Sequence, residues 1–228
     1  MKYAIIGGTG VDELDSFASL KSFTTEYGAV DYAIIDDIVF LPRHSSGHSV
    51  PPHMINYKAN IALLKDLEVE KAVSIYAVGS ITEKLEPLKW GVVDDFMDFT
   101  GNVSTFFTGG ENGVKHVDMT EVFDPSLSSK LVEYAPVKDN LIYVATAGPR
   151  LETRSEINAY RVLGADVVGM TLSHEAVLLK EAGIKNAAIA YSINWACGVS
   201  DSVSFVSDDD ISALTGEIIN VVRRVLHE

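Results

Sequence analysis

Short apolar runs recur along the chain and stop abruptly at polar or glycine-rich residues: Tyr3–Ile6, Ile38–Leu41, Ala72–Tyr76, Leu141–Ala145, Val167–Met170 and Ala187–Ile193. Runs this short, rich in Val and Ile and bounded by turn residues, predict strands buried on both faces. Between them lie patterns of helical period. Asn56–Leu67 places apolar residues three and four apart. Thr153–Leu163 opens with a Thr and has Glu156 three positions on, which is a capping box. Ser173–Ala182 opens with Ser173 as N-cap and stops at Gly183. Asp208–Leu226 starts at an Asp and ends among Arg223, Arg224 and His227, as the helix dipole favours.

Strands alternating with helices predict an α/β fold: a single domain over residues 1–228, with a mixed, mostly parallel central sheet flanked by helices. The antiparallel element is expected at Asp31–Leu41, where Asp36-Asp37 reads as a hairpin turn. Gly101–Asp118 is the longest irregular stretch, rich in glycine and asparagine. A loop of that length in a compact domain is a lid, a binding loop or an interface element.

Composition narrows the partners. Across 228 residues the formal charge is −14, which disfavours nucleic acid and anionic membrane as partners. No apolar run nears the roughly 20 residues that span a bilayer. Lys2 with a short apolar run does not read as a signal peptide. A lone cysteine, Cys197, excludes an intrachain disulfide, so a cytoplasmic location is expected. Cys197 reads as a small buried side chain.

Ligands of α/β sheets bind beyond the carboxyl ends of strands. Here those ends carry Gly7-Gly8-Thr9-Gly10, then Pro42-Arg43-His44, then Thr171 before a helix. Backbone donors, hydroxyls and one or two cations together make a phosphate site. Separately, each has a plainer reading. The glycines would form a tight turn, Arg43 would pair with a surface carboxylate, and Thr171 would cap its helix.

A dinucleotide reading, and with it an oxidoreductase, is weakened because the third glycine of G-x-G-x-x-G is missing after Gly8. His44, His48 and His53 invite a metal. Gly47, Pro51 and Pro52 break any helical pairing among them, however, and no nearby Cys or carboxylate completes the set. No metal and no cofactor are therefore expected.

Taken together, IIGGTG, LPRHSSGH, INYKAN, IYAVGSI, AGPRLETRSEI, GMTLSHEAVLLKEAGI and SINWACG resemble the trimeric purine nucleoside phosphorylase and methylthioadenosine phosphorylase family, in the expected order from Met1 to the last helix. The resemblance implies attack of inorganic phosphate, a co-substrate, on a purine nucleoside to give free base and pentose 1-phosphate. It implies that Thr9, Arg43, His44 and Thr171 hold phosphate, that Ala77 lies beside the nucleoside, that Met170 packs on the sugar and that Asn194 contacts the base. It also implies a homo-oligomer, a trimer or a hexamer. A nucleoside-binding protein without catalysis is the other alternative, but it needs no phosphate cradle.

Donor and acceptor types address the base. Asn194 can donate to the O6/N7 edge of a 6-oxopurine, and Glu152 can accept from N1–H. Adenosine-type members of the resembled family carry a small residue and Asp at these places, with a second Asp where this chain has Ala196. Inosine or guanosine is therefore expected, with methylthioinosine or methylthioadenosine as the alternative. At the 5′ end the resemblance places Asp208, which suits a hydroxyl, and His116, where relatives reach into a neighbour's site. Asp208 has a competing reading as the N-cap of the last helix. Tyr76 departs from the family pattern: relatives hold a Thr or Asn there against phosphate, and no phosphate role is carried onto it.

Overall fold

The computed structural model describes residues 2–11, 20–45, 47, 49–110, 113–135 and 137–228. His48, one of the three clustered histidines, lies outside the described residues. In chain order the elements are β1 (Tyr3–Gly7), β2 (Lys21–Thr25), β3 (Gly28–Ile35), β4 (Ile38–Pro42), α1 (Tyr57–Asp66), β5 (Lys71–Ser80), β6 (Trp90–Phe99) and α2 (Pro125–Tyr134). They continue with β7 (Lys138–Thr146), α3 (Arg154–Val162), β8 (Val167–Gly169), α4 (Leu172–Ala182), β9 (Lys185–Trp195) and α5 (Asp208–Leu226).

All six expected strands form, and so does the hairpin. β3 pairs antiparallel with β4 across Asp36-Asp37, with Asp36 at a φ of 57°. The sheet runs β2-β3-β4-β1-β5-β8-β7-β6-β9 and is mixed: β1 pairs parallel with β4 and β5, while β6 and β9 pair antiparallel. β5 and β9 also pair along nearly their whole length, so β5, β8, β7, β6 and β9 close on themselves. The closure departs from an open sheet. It is possible because β5 borders β1 over Lys71–Ser74 and has Gly79 and Ser80 left for β8 on the same side.

Alternation along β1 explains the layering. Ala4 and Ile6 pack with Leu64 of α1 and Leu178 and Leu179 of α4. Ile5 packs instead with Leu127 and Leu131 of α2 and Ile218 and Val222 of α5. Successive residues point to opposite faces, and both faces are covered by helices.

Three elements are absent from the reading of the sequence. β2 (KSFTT) is a mostly exposed, polar edge strand with little apolar signal. β6 (WGVVDDFMDF) is apolar and buried where Trp90–Val93 meet β9; its exposed Asp94 and Asp95 then interrupt the pattern before Phe96 and Met97. α2 did carry a signal: Asp124 caps it, Pro125 opens it, and Leu127 and Leu131 are its buried pair.

Two helix starts are corrected. α4 begins at Leu172 with Thr171, not Ser173, at the N-cap position. α5 is capped by Ser207, whose hydroxyl accepts from the Asp210 backbone N–H, so Asp208 is a first-turn residue and not the cap. The capping box of Thr153 and Glu156 is present in full. No helix among the described residues is long and apolar enough to cross a membrane.

Candidate active site

A cavity of about 200 Å³ opens where β1, β4, β5, β8 and β9 end. Its walls include Thr9, Arg43, His44, Ala77, Glu152, Met170, Thr171, Asn194 and Ala196. Nine residues expected from the sequence, from six separate chain segments, thus share one concave site. His116 and Asp208 are exposed and do not line it. For Asp208 the reason is local: Ser207 turns the chain into α5, leaving Asp208 on the solvent side of the first turn.

At one end of the cavity the backbone bends tightly. Arg43 N donates to Gly7 O at 2.7 Å, bringing the end of β4 against the loop after β1. A Cβ on Gly8 would lie 2.9 Å from Arg43 Nη1 and 3.0 Å from His44 Cδ2, so only glycine permits this approach. His44 Nδ1 sits 2.8 Å from Val50 O; since a carbonyl only accepts, the proton is on Nδ1. The Tyr191 hydroxyl donates to Thr9 O and pins the loop from β9.

Arg43 pairs with a carboxylate that sequence reasoning missed. Its Nε donates to Glu175 Oε1 at 2.6 Å, its Nη2 to Glu175 Oε2 at 3.0 Å, and its Nη1 to Ile75 O at 3.0 Å. Both side chains are buried, so this is a bidentate internal pair and not the surface pair that was the plain alternative. Burial alone would lower the Arg43 pKa; the adjoining Glu175 carboxylate outweighs it, and the net shift is upward. The guanidinium keeps its charge. Of its five N–H groups three are committed, leaving one on Nη1 and one on Nη2.

Tyr76, the departure from the family pattern, also meets this carboxylate, donating to Glu175 Oε2 at 2.8 Å. Burial, and then the Glu175 charge, push the Tyr76 pKa well up, so the phenol keeps its proton. Nothing in the sequence pairs residues 76 and 175, which lie on different elements. The visible hint was an acidic residue among the buried residues of the first turns of α4.

Thr171 occupies the N-cap position of α4, yet its side chain makes no capping bond. Its hydroxyl is therefore not spent on the helix, and the residue lines the cavity. The Tyr143 hydroxyl approaches the Thr171 backbone N–H at 3.5 Å. This approach needs Gly169, where a Cβ would fall 2.0 Å from that oxygen.

At the opposite wall, Thr146 donates to Glu152 Oε1 at 2.5 Å. Glu152 is buried, so its carboxylate is held in one orientation. Asn194 commits one N–H of its amide to Trp195 O at 2.8 Å, leaving its second N–H and its oxygen. Cys197 is half-buried on the cavity wall rather than fully buried, which corrects its reading as a core side chain. Phe205 and Pro52 complete the wall as apolar residues that sequence reasoning did not single out.

The Gly101–Asp118 stretch holds no strand and no α-helix among its described residues. Its first half docks on α4: Ser104 Oγ meets His174 Nδ1 at 2.9 Å, and Thr105 Oγ1 and Phe106 N each donate to Glu181 at 2.6 Å.

Backbone donors, hydroxyls and a charged guanidinium at one end, with a fixed carboxylate and an amide at the other, suit an oxyanion and a heterocycle held side by side. Comparison with known proteins agrees. The family model described as phosphorylase superfamily matches residues 2–226. A probable 6-oxopurine nucleoside phosphorylase of Moorella thermoacetica is 42% identical over 214 residues, covering 89% of this chain and 82% of that protein. A probable S-methyl-5′-thioinosine phosphorylase of Methanothermobacter thermautotrophicus is 41% identical over 207 residues, covering 87% and 73%. Among solved structures, a methylthioadenosine phosphorylase from an Antarctic soil metagenomic library superposes with a TM-score of 0.88 at 30% identity, covering 99% of this chain and 86% of the other. The chain belongs to the phosphorylase superfamily, and it is an enzyme of the purine nucleoside phosphorylase type.

Proposed function

We propose that the enzyme cleaves 6-oxopurine nucleosides whose 5′ substituent is apolar, of the 5′-methylthioinosine type, with inorganic phosphate as nucleophile. The observation that carries the base class is Glu152, fixed by Thr146 and facing the cavity beside Asn194. A fixed carboxylate accepts from N1–H of hypoxanthine but meets the bare N1 lone pair of adenine. An unmatched buried polar group can discriminate by about four orders of magnitude. The 5′ assignment follows from the wall: apolar Pro52 and Phe205 line the cavity, while Asp208, the group that suited a 5′-hydroxyl, stands outside it. Relatives whose names specify S-methyl-5′-thioinosine support the same substrate.

In this reading phosphate lies between the Gly8–Thr9 backbone, the Thr9 and Thr171 hydroxyls, the two remaining Arg43 N–H groups and His44. A phosphate oxygen forms a bond to C1′ as the C1′–N9 bond breaks, and its electron pair leaves with the purine. Holding the nucleophile under C1′ removes much of the entropic barrier, and the phosphate charge stabilises the cationic sugar. As negative charge reaches the base and N7 takes up a proton from solvent water, the Asn194 oxygen accepts from N7–H and its remaining N–H donates to O6. Met170 packs on the sugar, and Ala77 and Ala196 bound the nucleoside. His116 is assigned to the 5′ end of a neighbouring copy's site in a homo-oligomer.

A panel of methylthioinosine, inosine, guanosine, methylthioadenosine and adenosine, each with and without phosphate, tests this. Phosphate-dependent release of hypoxanthine, fastest from methylthioinosine, is the expected result. Faster cleavage of the adenine nucleosides would overturn the base assignment. A second reading, inosine as the preferred substrate, is favoured by the relatives named as 6-oxopurine nucleoside phosphorylases, and the same panel separates the two.

A further inference from the structure

Tyr76 is a large buried polar residue next to the site with no part in the chemistry above. It occupies the middle of β5, is fully buried, and reaches the site only through other residues. Three contacts define it. Its hydroxyl donates to Glu175 Oε2, the same oxygen that accepts from Arg43 Nη2. Its ring lies beneath the Arg43 guanidinium, 4.3 Å from the centroid to Cζ. Its edge meets the Tyr143 ring at 5.9 Å, and the Tyr143 hydroxyl faces the Thr171 backbone N–H.

We propose that Tyr76 is a positioning residue for phosphate, acting through Glu175 to set the plane and reach of the Arg43 guanidinium. The inference rests on the functional reading above. Glu175 alone could hold Arg43 along one edge and let the guanidinium swing about that edge. The Ile75 carbonyl fixes Nη1, and the aromatic face closes off rotation from below. The phenol in turn fixes Glu175, because a carboxylate oxygen with two donors has a single favourable orientation. The outcome is that the two remaining N–H groups are each held in a fixed direction. Tyr76 is not part of the cavity wall, and its contribution is to order the cation.

The test is Tyr76→Phe in the full-length enzyme, with KM measured separately for phosphate and for methylthioinosine. Phe keeps the volume and the face beneath Arg43 and removes only the hydroxyl. The phosphate KM should rise about tenfold, the size of effect expected for one charge-assisted hydrogen bond, while the nucleoside KM stays within about twofold. In a Glu175→Gln background the same substitution should change the phosphate KM by less than about twofold, because the path through Glu175 is already cut. An unchanged phosphate KM, equal rises in both KM values, or fully multiplicative effects in the double variant would overturn the proposal, even if thermal stability fell. A wild-type enzyme that releases no base from any nucleoside overturns the functional reading instead. Calorimetric binding of inorganic phosphate to wild type and Tyr76→Phe then still decides the role of Tyr76: equal affinities reject it, and a weaker Phe variant sustains it.

Discussion

Thr146 Oγ1 donates to Glu152 Oε1 across 2.5 Å of buried space, from the end of β7 to the residue before the capping box of α3. The bond makes the carboxylate a directed acceptor rather than a mobile charge. Thr146→Val keeps the shape and removes the donor. Loss of a hydrogen bond to a charged group is worth about 1.5–3 kcal/mol, so kcat/KM for methylthioinosine should fall about ten- to a hundredfold. Cleavage of methylthioadenosine should not fall with it. Steady-state kinetics on both substrates check this, and an equal fall on the two would show that Thr146 does not act through base recognition.

The Arg43–Glu175 pair is buried on both sides, and burying charges is costly unless they stay together. Glu175→Gln leaves the guanidinium without its counter-charge and should destabilise the fold by about 3–5 kcal/mol, read as a lower urea midpoint. Arg43→Met with Glu175→Leu replaces the pair by apolar groups. That double variant should recover most of the lost stability while showing no phosphate-dependent base release. Unfolding midpoints for the single variant equal to wild type would mean the pair contributes only to activity.

How far the sequence revealed this site depends on the range of each signal. Thr9, Arg43 and Thr171 were legible because each stands within three residues of the end of an apolar run, so the strand that places it also announces it. Glu152 and Asn194 were legible from chemistry, since their donors and acceptors match a base edge. Glu175 was not, because its partner Arg43 lies 132 residues away and only the folded chain brings the first turn of α4 to the end of β4. Thr146 was hidden for the opposite reason: one hydroxyl at the end of a strand looks like any strand terminus. The closure of β5 on β9 was equally invisible, because periodicity tells which residues are buried but not which strands are neighbours.

Asn194 donates to the carbonyl of the next residue, Trp195, at 2.8 Å. That carbonyl fixes which end of the amide is nitrogen. Asn194→Asp would set a carboxylate oxygen against it and against O6 of a 6-oxopurine, two like-signed contacts at once. The ratio of kcat/KM for methylthioinosine to that for methylthioadenosine should fall at least about a hundredfold. A competition assay with both nucleosides reads the ratio directly. An unchanged ratio would remove Asn194 from base selection.

His174 ties the site's helix to the glycine-rich stretch. Its Nδ1 meets Ser104 Oγ at 2.9 Å, and its ring stacks on Tyr57 with centroids 4.7 Å apart. Burial is the main cause of its lowered pKa, with Asp98 and Glu175 pulling weakly the other way. The folded value therefore lies below the ordinary 6.5, and the unfolded chain binds the proton more tightly. The stability contributed by neutral His174 is fully present above pH 6.5 and is lost as pH falls through the folded value. Thermal midpoints should drop between pH 7 and pH 5, and His174→Phe, which keeps a ring against Tyr57, should flatten that drop. The local counterpart is exchange: amide protons of Ser104–Phe106 should exchange faster at pH 5 than chemical exchange alone predicts, because protonation disfavours the neutral His174 ring that anchors them on α4. Equal pH slopes for wild type and His174→Phe would place the acid sensitivity elsewhere in the fold.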